Sequence, residues 1–501
     1  MILGAAGLPS DGTAAAGADP MAIFASFRDP AGCVFTHDGR LYRIVTPAGM
    51  ADLNSFLQSG AGRKWIESGR VVRTAMLAED SSAGLLRVPE IRRLYDAIGG
   101  QAIVEHERIP FPSFPYEWAP EMLHAAGMLT LDLARDLLRD DVGLKDGTPY
   151  NVLFRGTEPV FIDLLSFERR DPADPTWVPY GQFVRTFLLP LLANLRFGLP
   201  LDQLLFTRRD GLEPEEVYRW ASALQRISPG FLSLVSLPTW LASRHSQDDA
   251  SIYRKKRLAN PEKARFILET LINSTRRSLD RLRPKAGKTS VWSDYMESNN
   301  NYTSAHFAAK KGFVEEALAT ARCRNVLDVG CNTGFFSSLA ARAGASVVAI
   351  DYDPVVVGEV WRQSRAEKLD ILPLVVNLTR PTPGTGWLNR EWSGFLDRAR
   401  GRFDMVFMLA VIHHMLVTER VPLRDIIQLA SELTTDALVV EFIAPDDSMF
   451  RRLTRGRDEL HKDLTPALFE ETCRPYFEIA RTQHLENTSR WLYLLRRKPA
   501  K

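Results

Sequence analysis

The sequence predicts an α/β fold for the last third of the chain, preceded by a longer α+β region of mixed helices and strands. From Asn325 onward short apolar segments recur, and the first five alternate with helix-like segments such as FFSSLAARAG. Apolar strands separated by helices are typical of a parallel sheet covered on both faces, which binds ligands at the carboxyl ends of its strands. The strand segments are NVLDV, SVVAI, LPLVVNL, FDMVFML, ALVVEFI, FEIARTQ and WLYLLRR.

Length and charge restrict the class of protein. The chain has 501 residues, and because hydrophobic cores stop growing near ~250–300 residues, we expect two or three domains. Lys and Arg number 63 and Asp and Glu number 61, a net charge of +2. This near-neutral balance does not favour nucleic acid or an acidic membrane as a partner of the whole chain. The most apolar run, Thr186 to Leu195, is too short to cross a bilayer, so no transmembrane segment is predicted.

The cysteines and the amino terminus indicate a cytoplasmic protein. The first 28 residues lack the basic start and the long apolar stretch of a signal peptide, and their small residues predict a disordered leader over 1–28. The cysteines are widely spaced and form no CxxC pair, so neither a zinc site nor a disulfide framework is expected. They are Cys33, Cys323, Cys331 and Cys473.

Changes in composition divide the rest of the chain. Two β-rich runs around His37-Asp38-Gly39 predict a hairpin, which opens an N-terminal α+β domain over 29–250. The basic clusters YRKKR and TRRSLDRLRPK mark a connector over 251–296, for which a solvated helix face is favoured over an anion site. The C-terminal α/β domain occupies 297–501.

The turn after the first C-terminal strand, in VLDVGCNTGFFS, carries ligand chemistry. Its glycines do not fit the dinucleotide pattern G-x-G-x-x-G, because Asn332 takes the second position and Phe335 the last. Asp328 precedes Gly330 by two residues, and a carboxylate there repels a pyrophosphate but attracts an ammonium group. Asn332 tolerates the left-handed backbone that glycine would supply. The alternative is a tight turn without a ligand, but these features predict a cationic ligand such as S-adenosylmethionine.

On these residues, the region from about Glu297 to Lys498 resembles a class I S-adenosylmethionine-dependent methyltransferase, with a Rossmann-like sheet of seven strands. The segment DVGCNTGFFS matches the first motif of that family in its D-x-G-x-N-x-G form. FDMVFMLAVIHHM resembles the fourth motif, and FEIARTQ with WLYLLRR fits the antiparallel end of the sheet. The resemblance implies an enzyme with S-adenosylmethionine as cofactor and no metal.

The same resemblance assigns residues to the cofactor. Asp351, in AIDYDP at the end of the second strand, takes the position that binds both ribose hydroxyls, since one carboxylate accepts from two vicinal hydroxyls. Asn377, at the adenine position, is alternatively a turn residue. Tyr295 and Tyr302 are expected to form a lid over the donor. The implied cofactor-binding residues are Asp328, Gly330, Cys331, Asn332, Gly334, Asp351, Tyr352, Asn377, Leu378 and Leu409, with Ala410 beside the last.

Methyl transfer requires a positioned acceptor and, for a hydroxyl, a base. His413 and His414 follow the fourth strand on the ligand side of the sheet and titrate near neutral pH, so they are the candidate catalytic residues. The alternative is that one is a packed residue and the other is merely exposed. Glu441 and Asp446, in the loop region of the fifth strand, are alternative acceptor contacts.

A stretch in the first half, GLKDGTPYNVLF followed by PVFIDLLSFE, has the spacing of a protein kinase or aminoglycoside phosphotransferase catalytic loop over 142–168. The resemblance places Asp146 as the base and Asn151 and Asp163 at the magnesium positions. Lys145 stands where that family has Arg or Gly, and the glycine-rich loop and the V-A-I-K lysine are absent from the sequence. A kinase-like fold without phosphotransfer is therefore favoured, ahead of simple turn residues and an active kinase.

The two halves together resemble a bacterial two-part family described as nodulation-type methyltransferases. That resemblance implies a small-molecule or glycan acceptor and makes no prediction of oligomeric state. Two other hypotheses stay open. One is an RNA or protein methyltransferase whose front half and basic segment Arg254 to Arg257 grip a macromolecule, although the neutral charge speaks against RNA. The other is a binding protein with an inactive methyltransferase fold.

Overall fold

The structure is a computed structural model that describes residues 29–242, 257–287, 290, 303–321 and 323–499. The predicted leader and the lid tyrosines, Tyr295 and Tyr302, lie outside these residues. Backbone contacts divide the chain into two compact units, Met1–Met50 with Thr74–Arg108, and Ala51–Arg73 with Ile109–Lys501. Of the connector expected at 251–296, only 257–287 and residue 290 are described, and the sequence-based domain boundaries stay a prediction. No helix among the described residues has the length and apolar character to cross a membrane.

The first unit contains an antiparallel sheet of β1 (Gly32–His37), β2 (Arg40–Val45), β3 (Thr74–Met76) and β4 (Ala102–His106), in the order β1-β2-β4-β3. The predicted hairpin is confirmed, because β1 and β2 pair across Asp38 and Gly39, whose φ angles of 48° and 74° suit a tight hairpin turn. The first four helices of the chain are α1 (Pro47–Gln58), α2 (Gly60–Glu67), α3 (Glu79–Leu85) and α4 (Pro89–Ala97), of which α3 and α4 lie wholly in this unit.

The front part of the second unit is built around α5 (Pro120–Leu137), one of the most buried helices of the chain. Two short antiparallel pairs follow it: β5 (Val142–Leu144) with β8 (Phe167–Arg169), and β6 (Val152–Arg155) with β7 (Glu158–Phe161). The helix and the strands around the loop are therefore as predicted.

A group of helices completes the front part. The longest, Pro261–Arg281, packs along α5, and its Arg276 donates to Asp132 at 2.9 Å. A π-helical segment, Val184–Leu188, precedes Pro190, whose missing N–H interrupts regular helix hydrogen bonding. The helices are α6 (Tyr180–Phe183), α7 (Leu189–Phe197), α8 (Leu201–Thr207), α9 (Pro214–Trp220), α10 (Ala223–Arg226), α11 (Pro229–Phe231), α12 (Leu237–Ala242) and α13 (Pro261–Arg281).

The C-terminal part is a seven-stranded sheet, as the sequence predicts. Its strands are β9 (Asn325–Val329), β10 (Ser346–Asp351), β11 (Ile371–Val375), β12 (Phe403–Met408), β13 (Thr434–Ile443), β14 (Phe477–His484) and β15 (Arg490–Arg497). The order is β11-β10-β9-β12-β13-β15-β14; β9 to β13 run parallel, and β15 is antiparallel to both of its neighbours. The predicted Rossmann-like sheet with an antiparallel end is confirmed.

Helices cover this sheet and position its loops. The apolar residues of the first five strands are buried on both faces, which explains their continuous apolar sequence. The helices are α14 (Ser304–Thr320), α15 (Phe335–Arg342), α16 (Pro354–Glu367), α17 (Phe395–Ala399), α18 (Ile412–Val417), α19 (Leu423–Leu433), α20 (Ser448–Thr454) and α21 (Pro466–Cys473).

The front part and the sheet are joined by buried charges within the second unit. Glu117 is fully buried and forms an ion pair with Arg398 of α17. The Glu117 carboxylate also accepts from Thr382 Oγ1 at 2.8 Å and from the Phe114 backbone N–H at 3.1 Å. Arg398 donates to the Gly394 carbonyl at 3.2 Å and to the Pro112 carbonyl.

A second ion pair and an aromatic cluster extend this contact. Glu121 on α5 pairs with Arg362 on α16. On a separate loop, the guanidinium of Arg209 lies 4.2 Å from the Trp392 ring centroid, and the Tyr150 ring centroid lies 5.1 Å from the same ring. These contacts join the front part to α16, which follows β10, and to α17, which precedes β12.

Candidate active site

A cavity of about 630 Å³ lies at the carboxyl ends of the central parallel strands. This is the place where doubly wound sheets bind ligands, because the loops diverge there. Nine of the ten predicted cofactor-binding residues line the cavity. They are Asp328, Gly330, Cys331, Asn332, Asp351, Tyr352, Asn377, Leu378 and Leu409.

The tenth, Gly334, lies just outside the lining and begins the helix. Its φ of 79° places it in the left-handed region at the N-cap of α15. A Cβ atom at this position would lie 2.8 Å from Val360 Cγ2 on α16, so the close packing of helix and turn also requires glycine.

The turn between β9 and α15 has the backbone that the sequence predicts. Gly330 has a φ of 69° and Asn332 a φ of 49°, both left-handed. Asn332 is one of the residue types that accept this conformation, and its side-chain oxygen accepts from the Thr333 N–H at 2.6 Å. The Cys331 thiol is buried and its Sγ lies 3.6 Å from the Asn332 carbonyl; burial raises its pKa well above the ordinary value. Cys331 is therefore a protonated packing residue.

Two carboxylates lie at the ends of adjacent strands. Asp328 on β9 is 3% exposed and accepts from Ser337 Oγ at 2.6 Å. Asp351 on β10 is 9% exposed, and its two oxygens accept from the backbone N–H groups of Asn332 at 3.1 Å and Asp353 at 3.0 Å. The Asp351 carboxylate keeps acceptor capacity for a ligand, because an ionised carboxylate offers about four acceptor sites.

Burial makes both carboxylates easier to protonate. The pKa of Asp328 is raised to about 6, mainly by desolvation, although the bond from Ser337 opposes the shift. The pKa of Asp351 is raised to about 6 for the same reason, against the bonds from its backbone donors. A ligand that brings hydroxyl or ammonium donors into the cavity would favour the charged forms.

The remaining predicted contacts form the walls. Leu378 and Leu409 are buried and apolar, and Tyr352 is 55% exposed at the entrance. Asn377 uses its side-chain oxygen to accept from the Thr379 N–H at 2.9 Å, so it both lines the cavity and stabilises a turn. The two interpretations of Asn377 are therefore compatible.

The two histidines have different positions. His414 lines the cavity, whereas His413 does not and is 2% exposed. The His413 ring lies 4.2 Å from the His414 ring and packs against Phe450. Burial lowers the pKa of His413 well below its usual value and that of His414 to about 4, so both rings are neutral at pH 7. His414 is therefore the better placed candidate base, and the catalytic roles of both histidines stay predictions.

A buried charge network beneath the cavity was missed from sequence. Lys310 on α14 lines the cavity and forms an ion pair with Glu441 on β13 at 2.7 Å. Arg490 lies 3.8 Å from Glu441 and donates to Asp447 at 2.8 Å. Glu441 is fully buried in this network and lies outside the cavity lining, and its role as an acceptor contact stays a prediction. Asp446 is also outside the cavity lining and accepts from Ser489 Oγ at 2.5 Å.

An ion pair and several hydrogen bonds hold the kinase-like loop at 142–168 in the front part. The Lys145 ammonium lies 2.7 Å from Asp52 and donates to the Leu165 carbonyl at 3.0 Å. Asn151 donates to Ser166 Oγ at 2.9 Å, and that hydroxyl donates to Asp163 at 2.8 Å. Ser166 therefore joins the two side chains that the resemblance assigns to magnesium.

Asp146, the predicted base of this loop, is half-buried. In the part of the chain that the structure describes, no group of three or more His, Cys, Asp or Glu side chains is arranged to hold a metal ion. The backbone N–H of the next residue, Gly147, donates to Gln182 Oε1 at 2.7 Å, which ties the loop to α6.

A protein-family model described as a methyltransferase domain matches residues 274–482. The C-terminal region is a methyltransferase domain. Across both parts, the chain is 29% identical over 487 residues to nodulation protein NoeA of Rhizobium meliloti strain 1021, covering 96% of this chain and 98% of that protein. The similarity to NoeA thus spans both the front part and the methyltransferase domain.

Two solved structures align with parts of this chain. The N-methyltransferase NodS from Bradyrhizobium japonicum WM9 aligns at 13% identity over 39% of this chain and 97% of NodS, with a TM-score of 0.29. The bifunctional kinase-methyltransferase WbdD aligns at 18% identity over 40% of this chain and 41% of WbdD, with a TM-score of 0.30.

Proposed function

We propose that the chain is an S-adenosylmethionine-dependent methyltransferase that transfers a methyl group in line to an O or N atom of a small molecule or saccharide. The main support is the pair of buried carboxylates, Asp328 and Asp351, which flank a left-handed turn in one cavity. A nucleotide diphosphate is disfavoured beside two carboxylates, whereas a ligand with an ammonium and two ribose hydroxyls complements them.

The residues present fit the proposed donor. Asp351 would accept from the ribose hydroxyls through the lone pairs that its backbone donors leave available. Asp328 would supply negative charge near the amino end. Leu378 and Leu409 would pack against the apolar parts of the ligand.

Bound S-adenosylmethionine supplies an electrophilic methyl carbon with a neutral thioether as leaving group. The chain must hold the acceptor behind that carbon and, for a hydroxyl acceptor, remove its proton. His414 lines the cavity and is neutral at pH 7, so its ring nitrogen can accept the proton, and the lowered pKa makes it a weaker base than an ordinary histidine. We expect His414→Ala to lower turnover and leave donor binding unchanged, whereas wild-type turnover would reject His414 as the base.

For the front part, we propose a kinase-like fold that does not transfer phosphate. The supporting observation is the hydrogen-bonded chain from Asn151 through Ser166 to Asp163, together with the pairing of Lys145 with Asp52. The front part would then act as a platform for the methyltransferase domain, through the Glu117–Arg398 and Glu121–Arg362 pairs.

Calorimetric titration with S-adenosylhomocysteine tests the donor site. We expect Asp351→Asn to weaken binding at least about tenfold, since a hydrogen bond to a charged group contributes ~1.5–3 kcal/mol. Asp425→Asn is a matched control, because Asp425 is exposed in the first turn of α19 and outside the cavity lining. No binding by the wild type, or equal binding by Asp351→Asn, would contradict the proposal. A labelled-methyl screen of a cell extract would then find the acceptor.

A further inference from the structure

One side of the cavity carries a cluster of arginines that the donor does not explain. Arg420 follows α18, Arg452 lies in α20, and Arg455 and Arg457 follow closely. All four line the cavity and all are exposed. We call these four residues the arginine rim. Among the residues that the structure describes, none of the four forms an ion pair with a carboxylate, although Arg452 contacts Met449 Sδ at 3.7 Å.

Two acidic residues in this region are already paired with other cations. Glu419, the acidic residue in the same stretch of the lining, pairs with Arg380 at 2.7 Å. Glu441 pairs with Lys310 in the buried network below. The rim is therefore a local excess of positive charge in a concave site, where a low-dielectric wall strengthens the field.

Three residues of the rim lie away from the donor positions. Arg452, Arg455 and Arg457 come after β13, whereas the polar donor residues that the sequence predicts lie at the ends of β9, β10 and β11, and only the apolar Leu409 follows β12. In the sheet, β12 and β9 separate β13 from β10 and β11. Helix α20 also packs against α18, which carries His414. The rim thus lies on the side of the cavity where the candidate base is found.

From this placement we propose that the methyl acceptor carries an anionic group, a carboxylate, phosphate or sulfate, which the arginine rim binds. The proposal rests on the proposed methyltransferase function and adds the chemical class of its acceptor. Guanidinium groups suit such anions, because their planar donors match two oxygens at once. The rim would hold the charged end of the acceptor and leave its O or N atom near His414.

Labelled methyl transfer with fractionated extract tests the proposal. A small-molecule extract of the producing cells is separated on an anion exchanger into retained and unretained fractions, and each is incubated with the protein and tritiated S-adenosylmethionine. We expect label in a compound of the retained fraction. Treatment of that fraction with phosphatase, sulfatase or carbodiimide removes or modifies phosphate, sulfate or carboxylate, respectively. The treatment that abolishes methyl labelling identifies the anion. Label confined to the unretained fraction would overturn the proposal.

Variants that remove the charge of rim arginines provide a second test of the anionic acceptor. We expect Arg452→Gln with Arg455→Gln to raise the KM for the retained acceptor at least about tenfold, an effect weakened by added salt, with unchanged affinity for S-adenosylhomocysteine. Arg451→Gln is the matched control, since Arg451 is exposed in the same helix but outside the lining. An unchanged KM would overturn the proposal.

The two proposals fail in different ways. A loss of S-adenosylhomocysteine binding in the double variant would assign the rim to the donor and overturn the anionic acceptor. Absence of label in both fractions, with no binding of S-adenosylhomocysteine, would contradict the methyltransferase function itself and the acceptor class with it.

Discussion

Loss of the Glu117–Arg398 ion pair should lower the free energy of unfolding strongly. Both side chains are buried, and Glu117 accepts from Arg398, Thr382 and a backbone N–H. In Glu117→Gln the side chain keeps its shape and one acceptor oxygen, but Arg398 keeps its charge without a carboxylate. Two backbone carbonyls would remain as its acceptors.

Breaking a buried pair by removing one partner costs about 3–5 kcal/mol. Because Gln keeps the size and part of the hydrogen bonding, we expect the lower end, about 3 kcal/mol of unfolding free energy. Such a loss changes the folding equilibrium constant more than a hundredfold, at ~1.4 kcal/mol per factor of ten.

Urea denaturation followed by circular dichroism measures this loss. Arg342→Gln is the control, since Arg342 pairs with Glu367 in an exposed site, where a pair contributes ~0–1 kcal/mol. The double variant Glu117→Gln with Arg398→Met should recover much of the stability, because no uncompensated charge is left. If Glu117→Gln costs less than about 1 kcal/mol, or if Arg398→Met does not rescue it, the reasoning about this pair is refuted.

Three further measurements test other parts of the structure. Gly358→Ala should destabilise the protein by about 1–3 kcal/mol, because the new Cβ would lie 2.5 Å from a Glu121 oxygen. Gly312→Ala is the control and should stabilise the protein by up to ~1 kcal/mol, because open space surrounds that position. Equal urea midpoints of the two variants would contradict this prediction. Affinity for S-adenosylhomocysteine should rise as the pH increases through about 6, because the raised pKa of Asp351 leaves this carboxyl protonated below that value. Asp351→Asn should weaken this pH dependence. A calorimetric affinity that does not change with pH would contradict the prediction. Magnesium-ATP should not shift the melting temperature of the wild type more than that of Asp163→Ala, and a shift confined to the wild type would restore nucleotide binding to the front part.

The pH dependence of stability has the opposite sign to that of binding. Because the pKa of Asp328 and Asp351 is higher in the folded protein than the ordinary value, the folded state holds these protons more tightly. Their stabilising contribution is complete below the unfolded pKa, and it is lost as the pH rises to about 6.

The sheet and its first turn could be predicted because their signals are local. Strands buried on both faces are continuously apolar in sequence. Gly330 and Asn332 indicate the left-handed turn by their residue types alone, without reference to tertiary contacts. The antiparallel end of the sheet followed from the resemblance, and the structure agrees with it.

The two histidines show what local signals leave undetermined. Successive residues on a helix point about 100° apart. The sequence therefore identified the pair, but only the packing of α18 places His414 in the cavity and His413 against Phe450. The arginine rim had a visible signal, the segment RRLTRGR after the fifth strand, but its relation to the cavity depends on how α20 folds back.

Long-range ion pairs had no sequence signal. Glu117 and Arg398 are separated by 281 positions, and neither charge is unusual in its own segment. The same holds for Glu121 and Arg362, 241 positions apart. Their pairing arises from the contact of the front part with the sheet, which a pattern of local apolar residues does not specify.

The buried pairs also affect how the gene can change over time. Glu117 and Arg398 belong to regions that recombination could in principle exchange, yet a new partner domain would leave one charge buried alone. Gly358 adds a second restriction, since the Glu121 carboxylate occupies the space of any larger side chain there. We therefore expect the two parts to be inherited together. A substitution at Glu117, Arg398, Glu121 or Gly358 should be accompanied by a compensating substitution at the position that it contacts.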